Sequence, residues 1–297
     1  MSSAFESHPA TRWGALAPAV VVIGVFMLVP ILIMAVISLL EANPYGGVYH
    51  HFSPAAYVQL LFEFDLDDSL VFNPGYLIIL LRSLVLALLA TLSCLALGFP
   101  VAFYVTRQPP RRRNLLVLLI TIPFWTNLLV RAFAWIIILG RGGVLDTPLK
   151  ALGIIDESLG LLYTDQAILI GLTYTYLPLM VLPIYASLEK LDFRLVEAAS
   201  DLYADNLTAV RKVVIPLALP GIIAGCILVF VPALGDFISP TLLGGAKHLT
   251  LGSLVQFQFA TARNWPFGSA VAMLLLVFVA IGAAAYVMLA RPRDTAR

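Results

Sequence analysis

Six windows without a single charged residue decide what this chain can fold into: residues 13–40, 83–106, 114–130, 166–188, 213–235 and 264–290. A helix rises about 1.5 Å per residue, so about 20 apolar residues are needed to cross the hydrocarbon of a bilayer. Five windows reach that length. The 114–130 window is shorter but continues apolar past Arg131 to Leu139. Spans are expected near 15–40, 77–105, 114–139, 166–188, 217–239 and 269–290. Composition agrees: 12% of residues are charged, against about 25% in soluble domains, and mean hydropathy is +0.95. The fold class that follows is all-α, a polytopic membrane protein of six transmembrane helices. It divides into residues 1–76 (tail, first span and outer loop), a five-helix core at 77–290 with a loop at 189–216, and a tail at 291–297.

Lys and Arg in the connections set the orientation. With the N-terminus inside, the inner segments hold Arg12, Arg107, Arg111, Arg112, Arg113, Lys190, Arg194, Arg211, Lys212, Arg291, Arg293 and Arg297. The outer loops hold only Arg141, Lys150, Lys247 and Arg263. Twelve against four places both termini, and the polar loop beginning near Glu189, in the cytoplasm. The first apolar run is too long for the core of a cleaved signal peptide, and no small-residue cleavage site follows Leu40, so it is read as a retained span. The Arg111–Arg113 triplet is a topology anchor that also suits anionic headgroups. In the first outer loop Glu63, Asp65, Asp67 and Asp68 form either a solvated surface or a docking edge for an outer partner. A short interfacial helix is expected near 148–152.

Between the fourth and fifth spans runs Glu197-Ala198-Ala199-Ser200-Asp201-Leu202-Tyr203-Ala204, continuing through Arg211-Lys212 to Ile215-Pro216. Val196, Ala199, Leu202 and Tyr203 fall at helical spacing and form a short apolar ridge bordered by Glu197, Asp201 and Asp205. A helix lying on anionic lipid carries Lys and Arg on its polar face. This one is acidic up to Asp205, which points to a protein partner. The segment resembles the EAA loop of ATP-binding-cassette importer permeases. It keeps Glu197, Ala198, Ala199, Asp201, Ala204, Ile215 and Pro216, and has Tyr203 where that family usually has Gly. Tyr does not enter positive φ cheaply, so either the turn moves to Asp205-Asn206 or the loop geometry differs.

Arg82, Arg131 and Asp236 are ionisable groups well inside the expected spans. Counted along straight helices, all three fall in the outer third of the bilayer. Two readings stay open. Asp236 pairs with Arg131 or Arg82, since buried charges need partners. Alternatively, it accepts a translocating ammonium group, helped by Trp125, Tyr174 and Tyr176 through cation–π contacts. Asn127 and Arg131 interrupt the third span, and such groups face protein or a water-filled path. No Gly-Lys dipeptide occurs, so a P-loop is absent. The four histidines lack zinc-like spacing, Cys94 and Cys226 read as core residues, and no catalytic or metal residues are expected.

Two further runs, Pro123-Phe124-Trp125-Thr126 with Arg131 and Pro232-Ala233-Leu234-Gly235-Asp236-Phe237 with Leu242-Leu243-Gly244-Gly245, resemble spermidine/putrescine-type permeases. The resemblance implies a type I importer permease (MetI-like) fold in a bacterial inner membrane, moving a small cationic solute, with no cofactor in this chain. It implies an ATPase dimer that holds ATP and Mg, a second and related permease chain, and a periplasmic or extracellular solute-binding protein; nucleic acid is not among the partners. Rival readings are the same architecture for another cationic metabolite or ferric ion, an ion-coupled secondary transporter, and a membrane scaffold.

Overall fold

Apolar windows fold as helices here, and prolines and buried polar side chains decide where they break. A computed structural model describes residues 9–64, 70–245 and 248–290. Asp65, Asp67 and Asp68 of the acidic run, Lys247 and the 291–297 tail lie outside them.

The chain opens with α1 (Pro9–Ile37), earlier than the expected start near 15, and keeps Pro18 and Pro30 inside the helix. The first loop is not structureless. It forms β1 (Leu40–Ala42) paired antiparallel with β2 (Val48–Phe52), then α2 (Ala55–Val58), then β3 (Phe62–Phe64) paired with β4 (Leu70–Phe72). The first hairpin turns at Asn43–Gly47, where Gly46 and Gly47 take φ of +101° and +90°. Two-stranded ribbons this short escape a reading based on helical windows.

Next come α3 (Gly75–Thr106), α4 (Pro110–Trp125), α5 (Leu128–Leu139), α6 (Asp146–Ala151), α7 (Asp165–Leu188), α8 (Arg194–Asp201) and α9 (Asn206–Ala209). A π-helical turn at Val210–Val214 leads into α10 (Ile215–Gly235), followed by α11 (Ile238–Leu243), α12 (Leu251–Ala260) and α13 (Trp265–Ala290). Among the described residues five helices are long and apolar enough to cross a membrane, and a sixth span is counted if the bent pair α4–α5 is one.

Two of the expected spans are broken. The third is not a rod over 114–139: α4 and α5 meet at 91°. Pro123 removes a ladder bond near the end of α4. Asn127 then caps α5, its side-chain oxygen accepting from the Leu129 N–H at 2.8 Å. Depth counted along a straight helix therefore does not apply to Arg131. The fifth is not helical through 239. It stops at Gly235, three residues after Pro232, and Asp236 sits in extended backbone at φ −65°, ψ 127°. The expected helix near 148–152 is present as α6, starting slightly earlier.

The contacts group into two compact units, one formed by Gly75–Leu254 and one by the flanking segments. In the first, α7 packs along both α3 and α10. Met180, Val181, Ile184 and Leu188 of α7 meet Cys94 and Ala102 of α3 and Ala218 and Val229 of α10, all buried. Small residues allow this approach; a Cβ on Gly221 would lie 2.5 Å from the Pro183 carbonyl oxygen. In the other unit α13 lies along α1 and also touches α2 and β1.

Candidate functional site

The polar loop is a helix–turn–helix closing one end of the core. Arg194–Asp201 forms α8, with Glu197 in its first turn, where a carboxylate suits the helix dipole. The expected apolar ridge is divided. Val196 packs inward against the α3–α7–α10 core. Leu202 and Tyr203 lie past the end of α8 and are 81% and 99% exposed, and Leu207 is 75% exposed. Glu197, Ala198 and Asp201 share that open surface, while Ala199 and Ala204 are half-buried.

The turn falls on Tyr203 itself, at φ +62°, and does not shift to Asp205-Asn206. The Tyr203 N–H bonds to the Ser200 carbonyl and the Ala204 N–H to the Ala199 carbonyl. These bonds close the end of α8 in the left-handed geometry that glycine ordinarily supplies. Asp205 then starts α9. The Thr208 hydroxyl donates to its carboxylate and is the main reason its pKa lies below the usual value. Left-handed backbone costs a residue with a Cβ about 1–2 kcal/mol. Tyr203→Gly is therefore expected to slow amide hydrogen exchange across 198–206, and the β-branched Tyr203→Val to speed it. Exchange unchanged in both would mean the turn is not strained.

Ile215-Pro216 has a local explanation. Proline at 216 has no N–H and its ring crowds the carbonyl four residues back. The preceding turn widens to π geometry, and the Ile215 N–H reaches the Val210 carbonyl. The helix is not interrupted: residues Asn206–Gly235 form one span-length segment. Arg113 at the start of α4 pairs with Glu189 at the end of α7, 3.2 Å apart, beside the loop.

At the far end of α10 lies the second group of expected residues. Asp236 is 7% exposed. One carboxylate oxygen accepts from the Ile238 N–H at 2.8 Å, and the other from the Ser239 hydroxyl at 2.6 Å. Asp236 thereby caps α11 and holds the break after α10. Gly252 lets α12 approach this break, since a Cβ there would meet the Gly235 and Asp236 carbonyl oxygens at 2.5 and 2.6 Å.

The expected pairing of Asp236 with Arg82 is not made. Arg82 bonds through two of its nitrogens to Asp165, the shortest contact being 2.6 Å, and also touches His248 Nδ1. His248 Nδ1 lies 3.0 Å from the same carboxylate. Asp165, at the start of α7, and His248 were not among the expected partners. No spacing in the sequence links them to Arg82, because three separate segments meet there. Nor is Asp236 within ion-pair distance of Arg131. Arg131 keeps Nε and Nη1 buried without a hydrogen-bond partner among the described residues. Tyr176 lies within the electrostatic reach of both Asp236 and Arg131, and its hydroxyl points to the Pro232 carbonyl at 3.4 Å.

The remaining aromatics diverge. Tyr174, two residues from Tyr176, faces another side of α7 and packs edge-on against Trp135 at 5.5 Å. Trp125, at the end of α4, is 85% exposed. Asp236, Tyr176 and Arg131 therefore form one neighbourhood, while Trp125, Tyr174 and the cap residue Asn127 stand apart from it. Ser239 was missed, although Asp-x-x-Ser after a proline is the pattern of a capped helix start. No cluster of three or more His, Cys, Asp or Glu able to hold a metal occurs among the described residues.

Residues 94–293 match the model of the family described as "binding-protein-dependent transport system inner membrane component". The chain belongs to that family. This permease is 44% identical over 227 residues to the spermidine/putrescine transport system permease protein PotB of Escherichia coli (strain K12), covering 76% of this chain and 82% of that protein. To the protein of the same name from Haemophilus influenzae it is 41% identical over 256 residues, covering 86% of each. In fold it is similar to a bacterial ABC transporter involved in the import of the acidic polysaccharide alginate. The TM-score is 0.69 at 12% identity, over 95% of this chain and 96% of that one. The permease is accordingly an inner-membrane transport component with the type I importer fold.

Proposed function

We propose that this chain is the permease subunit of an ATP-driven polyamine importer, carrying spermidine or putrescine inward. What carries the reading is the 44% identity to a spermidine/putrescine permease over 76% of the chain. In this reading both termini and the α8–α9 loop are cytoplasmic, in line with the twelve-to-four distribution of Lys and Arg. An ATPase dimer docks on the loop through Glu197, Ala198, Asp201, Leu202 and Tyr203, and holds the ATP and Mg. Ala199, Ala204, Ile215 and Pro216 shape the loop and join it to α10. A second, related permease chain completes the pore, and a solute-binding protein delivers the polyamine on the opposite side.

Coupling runs through packed elements, which shift as units between discrete arrangements. Closure of the ATPases moves α8 and α9, the continuous 206–235 segment carries the motion, and the capped break at Asp236 moves at its other end. The ammonium groups of the solute pass the Asp236–Tyr176–Arg131 neighbourhood. Asp236 offers a carboxylate there, and Tyr176 an aromatic face. Tyr174, Trp125 and Asn127, which stand apart from that neighbourhood, are not needed for this step.

The test is reconstitution of the chain with its ATPase, second permease and binding protein in liposomes. Uptake of labelled spermidine or putrescine is expected only with the binding protein and ATP present. Uptake driven by an ion gradient without ATP, or transport of ferric ion in place of polyamine, would overturn the reading.

A further inference from the structure

We infer that the α3–α4 hairpin carries a binding site for one anionic glycerophospholipid, its acyl chain in the groove between the helices and its phosphate on Arg107, Arg111 and Arg112. The groove has a volume of about 410 Å³ and is lined by Pro100, Val101 and Tyr104 of α3 and by Leu116, Leu119 and Ile120 of α4, with Val105 at its floor. That is the size of a small-molecule pocket, and too small for a helix about 10 Å across. Its lining is almost wholly apolar and belongs to membrane-crossing segments, so its natural neighbour is the hydrocarbon of the leaflet.

None of the arginines lines the groove; they sit in and beside the α3–α4 turn, just beyond the groove residues nearest it, Val105 and Leu116. Arg112 stands four, seven and eight residues before Leu116, Leu119 and Ile120, on the same stripe of α4. Arg107 follows Tyr104 by three at the end of α3, and its N–H bonds to the Tyr104 carbonyl at 3.3 Å. Side chains of a helix lean toward its N-terminus, so those at the start of α4 reach past the turn toward the headgroup layer. Arg107, Arg111 and Arg112 are exposed, and none has a carboxylate within ion-pair distance among the described residues. Arg107 is steadied over the Phe103 ring, 5.4 Å from its centroid. Arg113 differs, being paired with Glu189 while its buried Nε lacks an acceptor.

A topology anchor requires positive charge at this end, but it does not require an apolar groove leading from the charges. A soluble acidic protein could meet the guanidinium groups but has no segment to place between two spans. A free phosphate has no use for the groove. A lipid with an anionic headgroup and an acyl chain satisfies both halves of the site.

The full-length protein, solubilised in detergent with equimolar phosphatidylglycerol and phosphatidylcholine, is assayed by native mass spectrometry for retained lipid. Retention of phosphatidylglycerol over phosphatidylcholine by roughly tenfold or more is expected, given three guanidinium groups at the headgroup. Arg107→Gln/Arg111→Gln/Arg112→Gln is expected to bring that ratio close to one, and the matching triple Lys variant to keep it. Leu119→Trp, which fills the groove, is expected to lower retention of both lipids with the arginines intact. If the triple variant does not fold, Arg112→Gln alone reads the same ratio. Equal retention by the unaltered chain, or an unchanged preference in the Gln variants, overturns the proposal. So does full displacement by soluble glycerol phosphate that persists in Leu119→Trp, which marks a phosphate site only. A photo-crosslinker at Leu119 in whole cells is expected to capture phospholipid; capture of a protein instead overturns it.

Discussion

Glu197→Lys is expected to cut ATP-driven uptake by roughly thirtyfold or more, with the chain still inserted and helical. Two magnitudes decide between loss of coupling and loss of fold. Within the chain, Glu197 is exposed in the first turn of α8 and makes no ion pair among the described residues. Its favourable contact with the helix dipole is worth about 0.3–1 kcal/mol, so reversal costs α8 about that much. In a docked interface, a charge facing the wrong partner costs about 2–5 kcal/mol. The larger penalty exists only if the loop is covered by another protein. Uptake at the original rate would mean that the loop docks nothing. A drop in helicity or in membrane insertion would place the effect inside the chain.

Asp236→Asn is expected to leave the fold intact and reduce uptake by roughly tenfold or more, the worth of a hydrogen bond to a charged group. Asparagine keeps an oxygen that can accept from the Ile238 N–H, the 2.8 Å bond that starts α11, so the cap survives. What is lost is the negative charge beside Tyr176 and Arg131. The measurement pairs thermal unfolding in detergent with polyamine uptake in liposomes. Unchanged uptake would make the carboxylate a helix cap and nothing more. Arg131→Gln in the same background adds a second arm. Recovery of uptake there would show that the Arg131 guanidinium had needed the acid, and that the solute had not.

Both experiments separate roles that the sequence could name but not locate. The Glu197 segment was legible because it is polar and acidic between two apolar runs, a contrast that survives any packing. Its left-handed turn was not. Tyr203 disfavours positive φ, and only the closed end of α8, with its bonds to Ser200 and Ala199 carbonyls, holds it there. Asp236 was legible as a costly charge in a span, but its partners were not. One of the two cations expected in its layer, Arg82, is taken by Asp165 and His248. Three segments distant in sequence meet at that point, and no local pattern records the meeting.

The amino-acid sequence alone determined that this chain crosses a membrane in helices, and which polar loop interrupts them between the fourth and fifth spans. Transfer of apolar and charged groups between water and hydrocarbon is a property of each segment by itself, so it can be read one window at a time. Tertiary structure decided where the third and fifth spans break, which acid meets which base, and that an apolar groove runs between α3 and α4. These depend on whether a proline-freed carbonyl or a buried carboxylate finds a donor on a neighbouring segment, and that is settled only when the helices pack.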